Sequence, residues 1–206
     1  MIIRGVGRIE PSMQLRILIL ICLMILTVSG TLNAILTGFG IKRLNLFFLC
    51  LSTLLLDMFT LRPIPEINLN IGFITVFVLL LIACIERGEY NNLKFTLSFI
   101  GIMAVVVTAQ IMIPIPLGLL TGVVGLLAPL VCGANNRPVL PITCVVGSVL
   151  LSGFILVLFE AFYHRIPVVA PNADTMFNAA LAGALCSGAV SAVVLKFNSH
   201  PQVVKT

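Results

Sequence analysis

Long apolar runs separated by short polar segments fill most of this 206-residue chain. A helix that crosses about 30 Å of hydrocarbon, at a rise of about 1.5 Å per residue, needs about 20 mostly apolar residues. We predict a spanning helix in each of five runs: 17–37, 44–61, 67–85, 139–159 and 175–195. The connections are short, so consecutive helices should be antiparallel neighbours in a bundle.

Residues 95–136 carry no charged side chain and are long enough for two further helices. Pro114 and Pro116 interrupt them, and the residue before a proline avoids helical geometry. We therefore predict helices at 95–113 and 117–132. The second is short and rich in glycine, so the sequence leaves two alternatives for it, a short span or a re-entrant half-helix.

The distribution of Lys and Arg separates the two topologies. With a cytoplasmic N-terminus, six spans place seven basic residues inside and five outside, whereas seven spans reverse these numbers. The count favours six spans with both termini inside, although Lys42 and Arg43 then lie outside. The predicted fold is an all-α, polytopic transmembrane bundle of six or seven spans, forming a single domain over 1–206.

Composition supports a lipid environment, because 60% of the residues are hydrophobic, 9% are charged and the mean hydropathy is +1.20. A soluble domain carries about 25% charged residues. The net charge of +5 comes from scattered basic residues without a patch, so we expect no nucleic-acid partner. The six cysteines lie in different apolar runs and form no C-x-x-C pair, so we expect no metal and no cofactor.

Small residues recur every four positions in the last run and, more briefly, in the 117–132 segment. This spacing places them on one helix face, where another helix can approach closely. The partner is either a helix of the same bundle, another membrane subunit or a second copy of the chain. The residues predicted to pack in this way are Ala179, Gly183, Ser187 and Gly188, with Gly118 and Gly122.

Polar residues inside apolar runs are the candidates for ligand or ion binding, because they are costly in hydrocarbon. Asp57 is either an interfacial carboxylate near Arg62 or a cation or proton site. Gln110 either satisfies a carbonyl freed by Pro114 or contacts a substrate. Asn178 lies near the end of its run, where it caps a helix, bonds a neighbouring helix or binds a ligand.

Nucleotide-binding loops, zinc-protease motifs and nucleophile elbows are absent from the sequence, so we expect no enzyme. The Pro/Gly-interrupted region favours a small solute-transport component or a substrate-binding membrane subunit, since broken helices often build sites in membranes. The alternative is a non-catalytic scaffold or assembly factor that acts through helix–helix contacts. The expected location is the plasma membrane of a bacterium.

Overall fold

The computed structural model describes residues 2–3, 11–57, 59–64, 67–113, 115–133, 138–162 and 171–198. Within them the chain is predominantly helical, as predicted, with a small antiparallel sheet in addition. The helices are α1 Pro11–Val28, α2 Asn33–Phe39, α3 Arg43–Leu56, α4 Ile71–Glu86, α5 Asn92–Met112, α6 Leu117–Cys132, α7 Val139–Phe162 and α8 Ala173–Asn198. The strands are β1 Ile2–Ile3, β2 Phe59–Ile64 and β3 Ile67–Asn70.

Three helical segments of the described chain are long and apolar enough to cross a membrane: Leu93–Met112, Val139–Glu160 and Ala173–Asn198. Helices α1 and α2 together make a fourth if the pair, bent by 92°, counts as one span. The protein is therefore membrane-embedded. Helices α3, α4 and α6 are apolar but shorter, at 14, 16 and 16 residues. Length and composition thus show three to four helices able to span a membrane, and the predicted number of six or seven spans stays a prediction.

Two predicted helices are broken or shortened in ways that glycine and proline explain. The predicted 17–37 helix ends at Val28, because the chain turns at Gly30 with a φ of +78°, a region that glycine enters without steric cost. The predicted 44–61 helix ends at Leu56. Beyond it Pro63, which cannot continue a helix, lies in β2.

The sheet has the order β1-β2-β3, with both pairs antiparallel. Leu61 lies opposite Leu69 and Thr60 opposite Asn70, with a register shift between Leu61 and Ile64. The predicted 67–85 helix consequently begins only at Ile71, since its first four residues form β3. Strands β2 and β3 thus connect the end of α3 to the start of α4.

Helix α7 is the centre of the bundle. Most of its first half is buried, including Val139, Cys144, Val145 and Val149. Helices α4, α5, α6 and α8 pack around it. A helix that is apolar on every side is expected in such a position.

Helix α6 runs parallel to α8 and antiparallel to α7. The Thr121 hydroxyl donates to the Ala179 carbonyl at 2.7 Å, and Gly125 lies against Gly183 one turn further along both helices. Cys132, the last residue of α6, lies beside Cys144 near the start of α7. Helix α6 therefore ends at the end of the bundle where α7 begins.

Side-chain contacts identify the two ends of the bundle. At one end, Arg16 of α1 contacts Asp57 after α3 and Asp174 at the start of α8. At the other, Glu89 after α4 accepts a hydrogen bond from the backbone N–H of Val139 at the start of α7. We call these the Arg16 end and the Glu89 end.

Candidate functional site

Arg16 forms the centre of a buried polar cluster. It lies in the second turn of α1, and its side chain is 0% exposed. Its Nε and Nη2 donate to Oδ2 of Asp57 at 3.0 and 2.7 Å. Nη2 also donates to Oδ1 of Asp174 at 3.1 Å, and Nη1 donates to Oδ1 of Asn178 at 3.3 Å. One guanidinium thus joins α1 to both α3 and α8.

Asp57 has a second partner in Asn70. The Asn70 Nδ2 donates to Asp57 Oδ1 at 2.6 Å, while Asn70 Oδ1 accepts from the backbone N–H of Phe73 at 3.1 Å and so caps α4. Asparagine is a preferred N-cap because its side-chain oxygen satisfies an orphan donor of the first turn. The same residue therefore begins α4 and holds the carboxylate that Arg16 contacts.

A close approach of α3 and α4 positions this pair. A Cβ on Gly72 would lie 2.9 Å from the Thr53 carbonyl oxygen and 3.1 Å from the Asp57 Cα. Only a residue without a side chain fits there without displacing backbone. Gly72 thus allows Asp57 and Asn70 to meet, and both are buried.

The two residues of α8 that contact Arg16 lie on one face of that helix. Asp174 and Asn178 are four residues apart, which places them one above the other on a helix. Asp174 lies in the first turn, where the helix dipole favours a negative charge. Both side chains are thus aimed at Arg16 by the regular geometry of α8.

Two aromatic rings support the guanidinium. Cζ of Arg16 lies 4.7 Å from the centroid of the Phe177 ring, and Phe73 stacks on Phe177 with 5.4 Å between centroids. Both rings are buried. A cation over an aromatic face gains about 2 kcal/mol or more when water is excluded. The Phe177 ring therefore stabilises the buried guanidinium, and Phe73 supports that ring from behind.

The Arg16 cluster, which we define as Arg16, Asp57, Asn70, Asp174 and Asn178, combines groups suited to ionic ligands. A guanidinium matches the geometry of carboxylates and phosphates, and carboxylates accept ammonium groups or metal cations. Burying each ion costs several kcal/mol even after relaxation, unless partners surround it. Such groups inside a membrane protein commonly mark a substrate or ion pathway.

The structure brings Asp57 and Asn178, two of the three predicted ligand candidates, to the same guanidinium. Gln110 lies apart from them and donates from Nε2 to the Ile115 carbonyl at 2.8 Å. This bond bridges the interruption between α5 and α6, although the carbonyl belongs to a residue after Pro114 and not before it.

Arg16, Asn70 and Asp174 were not among the sequence candidates. Arg16 directly precedes the predicted 17–37 helix, whereas α1 begins at Pro11 and includes it. Asn70 and Asp174 lie at helix starts, where polar residues are ordinary. The one signal in the sequence was a lone arginine directly against an apolar run, one turn inside a helix that begins with proline.

The small-residue face of α8 is used inside the bundle. Ala179, Gly183 and Ser187 are buried, and a Cβ on Gly183 would lie 2.9 Å from the Thr121 carbonyl oxygen of α6. A Cβ on Gly188 would be in ordinary contact, 3.6 Å from Ile142.

The predicted Gly118–Gly122 pair does not make the close contact between α6 and α8. Among the described residues, no atom outside the Gly118 turn itself lies within 4 Å of the place where a Cβ of Gly118 would be, and for Gly122 the nearest such atom is the Cys186 Sγ at 3.9 Å. Gly125, which was not in the predicted pair, makes the close contact of α6, because it is the residue that faces Gly183.

Among the described residues, no group of three or more His, Cys, Asp or Glu side chains is placed to hold a metal ion. No family model, curated protein or solved structure matches the chain. A function therefore has to be argued from the chemistry of the cluster itself.

Proposed function

We propose that this chain is the solute-binding component of a membrane transporter, and that the Arg16 cluster binds a small ionic solute. The observation that carries the proposal is the fully buried guanidinium of Arg16 between two buried aspartates from different helices. Packing alone does not require these charges, since replacing a buried ion pair by apolar residues is often neutral or stabilising.

In the Arg16 cluster, an anionic group of a solute can replace Asp57 as the partner of Arg16. A solute carboxylate or phosphate that displaces Asp57 from Arg16 leaves that aspartate on Asn70, whose Nδ2 lies 2.6 Å from Oδ1. Arg16 meanwhile keeps its contact with the Phe177 ring. Neither ion is then left alone in a low dielectric, which would cost about 3–5 kcal/mol. Solutes that also carry an ammonium group could bind the aspartates.

The order of the helices supports seven passes through the bilayer. Helices α3, α4 and α6 alternate in direction with their neighbours, as crossing helices do, and their lengths of about 21–24 Å suit a locally thin or deformed bilayer. Seven passes place the termini on opposite sides. This differs from the six-span topology that the sequence favoured.

Charge supports one orientation of such a bundle. The basic residues of the described chain at the Glu89 end are Lys42, Arg43, Arg87, Lys94 and Lys196. Arg16 and Arg62 lie at the other. Because cytoplasmic loops are enriched in Lys and Arg, the Glu89 end would face the cytoplasm. The Arg16 cluster would then lie near the outer surface, where an importer first meets its solute.

This role is non-catalytic, and a partner subunit or an ion gradient would supply its energy. The plasma membrane of a bacterium remains the expected location. The scaffold alternative needs a small-residue face on α8 that is available to partners. Gly183, at the centre of that face, packs against α6 and α7 of the same chain. The face is therefore occupied, which favours transport over the scaffold alternative.

Binding to the purified protein tests the proposal. The probes are a panel of amino acids, carboxylates, phosphate esters, amines and alkali cations, and the readouts are thermal stabilisation in mild detergent and calorimetric affinity. Arg16→Lys keeps the charge but loses the planar fork, so the affinity for a solute that binds wild type should fall at least tenfold. Asp57→Asn, which retains its size and an oxygen, should also weaken binding.

The matched control is Arg43→Lys. Arg43 is exposed at the opposite end and donates from Nε to Asn33 at 2.9 Å. The control should bind the solute as wild type does. Wild-type protein that binds no member of the panel, or Arg16→Lys protein that is folded and binds with unchanged affinity, would overturn the proposal.

A further inference from the structure

A groove of about 710 Å³ lies between α3 and α4. Its walls are mainly apolar side chains of the two helices, such as Phe48, Leu55, Leu79 and Ile82. Phe48, Leu55 and Ile82 are more than 40% exposed, so the groove lies on the outer flank of the bundle. It extends from Thr75 to Arg87, about 18 Å along α4 at the helical rise.

Arg87 gives this apolar groove a positively charged end. Its Nε donates to Glu89 Oε1. Oε2 of Glu89 accepts from the backbone N–H groups of Val139 and Leu140 at 2.8 and 3.1 Å, so the carboxylate is fixed at the start of α7. Glu89 therefore orients the guanidinium and leaves its other nitrogens available.

Nη1 and Nη2 of Arg87 lie over Gly40. The absence of a side chain there makes room for the guanidinium, since a Cβ would lie 3.0 Å from its Cζ. Within the described ranges, neither Nη1 nor Nη2 has a hydrogen-bond partner. The same end of the bundle carries exposed Lys42 and Arg43, so an anion is favoured there although Glu86 also lines the groove.

We propose that this groove binds an anionic phospholipid, with one acyl chain between α3 and α4 and the phosphate on Nη1 and Nη2 of Arg87. An apolar wall about 18 Å long that ends in a guanidinium is complementary to an acyl chain that ends in a phosphate. Basic pockets between membrane helices on the cytoplasmic side are suited to acidic lipid headgroups. The lipid leaflet at this end is the source of the ligand.

The charged end of the groove favours a lipid over a helix of another subunit. The apolar surface of a docked transmembrane helix would not be complementary to the guanidinium of Arg87 at the end of the groove. The proposal rests on the orientation proposed above, with the Glu89 end cytoplasmic, and is independent of the solute-binding role of the Arg16 cluster.

Lipid binding to the purified, delipidated full-length protein tests the proposal. Phosphatidylglycerol and phosphatidylcholine with identical acyl chains are compared by thermal stabilisation in a neutral detergent, and the bound lipid is counted by native mass spectrometry. Phosphatidylglycerol should bind at least tenfold more tightly. Glycerol phosphate, which has the headgroup chemistry without the chains, should stabilise the protein far less.

Three variants distinguish the site from general charge attraction. Arg87→Gln should remove the preference for phosphatidylglycerol. Ile82→Trp, which fills the exposed groove without touching Arg87, should lower the affinity for both lipids. The matched control Lys94→Gln removes an exposed charge from the same end but outside the groove, and it should bind as wild type does.

Several results would overturn the lipid site. These are equal affinity for the two lipids, equal stabilisation by glycerol phosphate alone, and equal effects of Arg87→Gln and Lys94→Gln. A second copy of the chain cross-linked into the groove and not displaced by phosphatidylglycerol would identify a different occupant.

Discussion

Replacing Gly125 by alanine should separate α6 from α8. The new Cβ would lie 3.0 Å from both the Cα and the carbonyl carbon of Gly183 and would overlap the carbonyl oxygen. Carbon–oxygen contacts between backbones are normally about 3.3–3.6 Å. Backbone on a packed helix cannot rotate away as a side chain can. The two helices therefore have to move apart by about 1 Å.

The expected cost combines three contributions. Overpacking of a close contact costs about 1–3 kcal/mol. Separation also weakens the bond from Thr121 to the Ala179 carbonyl, which contributes about 0.5–1.5 kcal/mol. Alanine recovers about 0.5–1 kcal/mol through its higher helix propensity. The net loss in the free energy of unfolding should be about 2 kcal/mol, or a fall in Tm of roughly 4–8 °C for a chain of this size.

Gly118→Ala and Gly122→Ala are matched controls on the same helix. Their new Cβ atoms meet open space and an ordinary contact of 3.9 Å respectively, so these variants should be neutral or slightly stabilised. The assay is reversible unfolding in mixed detergent micelles, followed by circular dichroism. If Gly125→Ala unfolds within about 0.5 kcal/mol of both controls, the inferred close crossing of α6 and α8 is incorrect.

Three further predictions concern single positions. Gly183→Leu should lose its monodisperse folded state in mild detergent, because a Cβ there already lies 2.9 Å from the Thr121 carbonyl oxygen; wild-type yield and Tm would contradict this. Glu89→Gln should lower stability by about 1–3 kcal/mol, since it removes the charge that caps α7, whereas the exposed Glu86→Gln should change little. Ser187→Ala should be neutral or stabilising by thermal unfolding, because the Ser187 hydroxyl is buried without a hydrogen-bond partner in the described part of the chain; a clear loss of stability would indicate that the hydroxyl is bonded.

Helix starts that follow a proline were accessible from the sequence. Helix α6 begins at the predicted Leu117, after Pro116, and α7 begins at the predicted Val139, after Pro138. Proline fixes such positions locally, because it removes a backbone donor and restricts the preceding residue. Neither effect depends on the rest of the fold.

Strands β2 and β3 were not predictable in the same way. Their residues continue the apolar runs on either side, and short apolar stretches fit a strand or a helix equally well. Pairing between Leu61 and Leu69 selects the strand. The bend after α1 was not predictable either. A single glycine within an apolar run is compatible with a continuous helix, and only the positive φ of Gly30 in the structure reveals the turn.

The candidate site was predictable only in part, because its members are far apart in the chain. Asp57 and Asn178 could be selected from the sequence because they are polar residues in apolar runs. Their common partner Arg16 is 41 residues from Asp57 and 162 from Asn178. Such pairing depends on which helices pack together, and a single sequence does not contain that information. A helix predicted from hydropathy also begins after Arg16, because a charged residue ends an apolar run.

Two helix contacts of this protein differ in how they would respond to an ionic solute. In lipid, apolar helix surfaces gain little by leaving the acyl chains, so association depends on close packing and polar bonds. Helices α6 and α8 meet through Gly125 and Gly183, a contact that no solute can replace. Helix α1 meets the end of α3 at Arg16, whose bonds to Asp57 a competing anion can replace. A solute that displaces Asp57 would therefore loosen α1 from the end of α3 while the α6–α8 pair stays closed, and the motion that accompanies binding should be a separation of α1 from the end of α3.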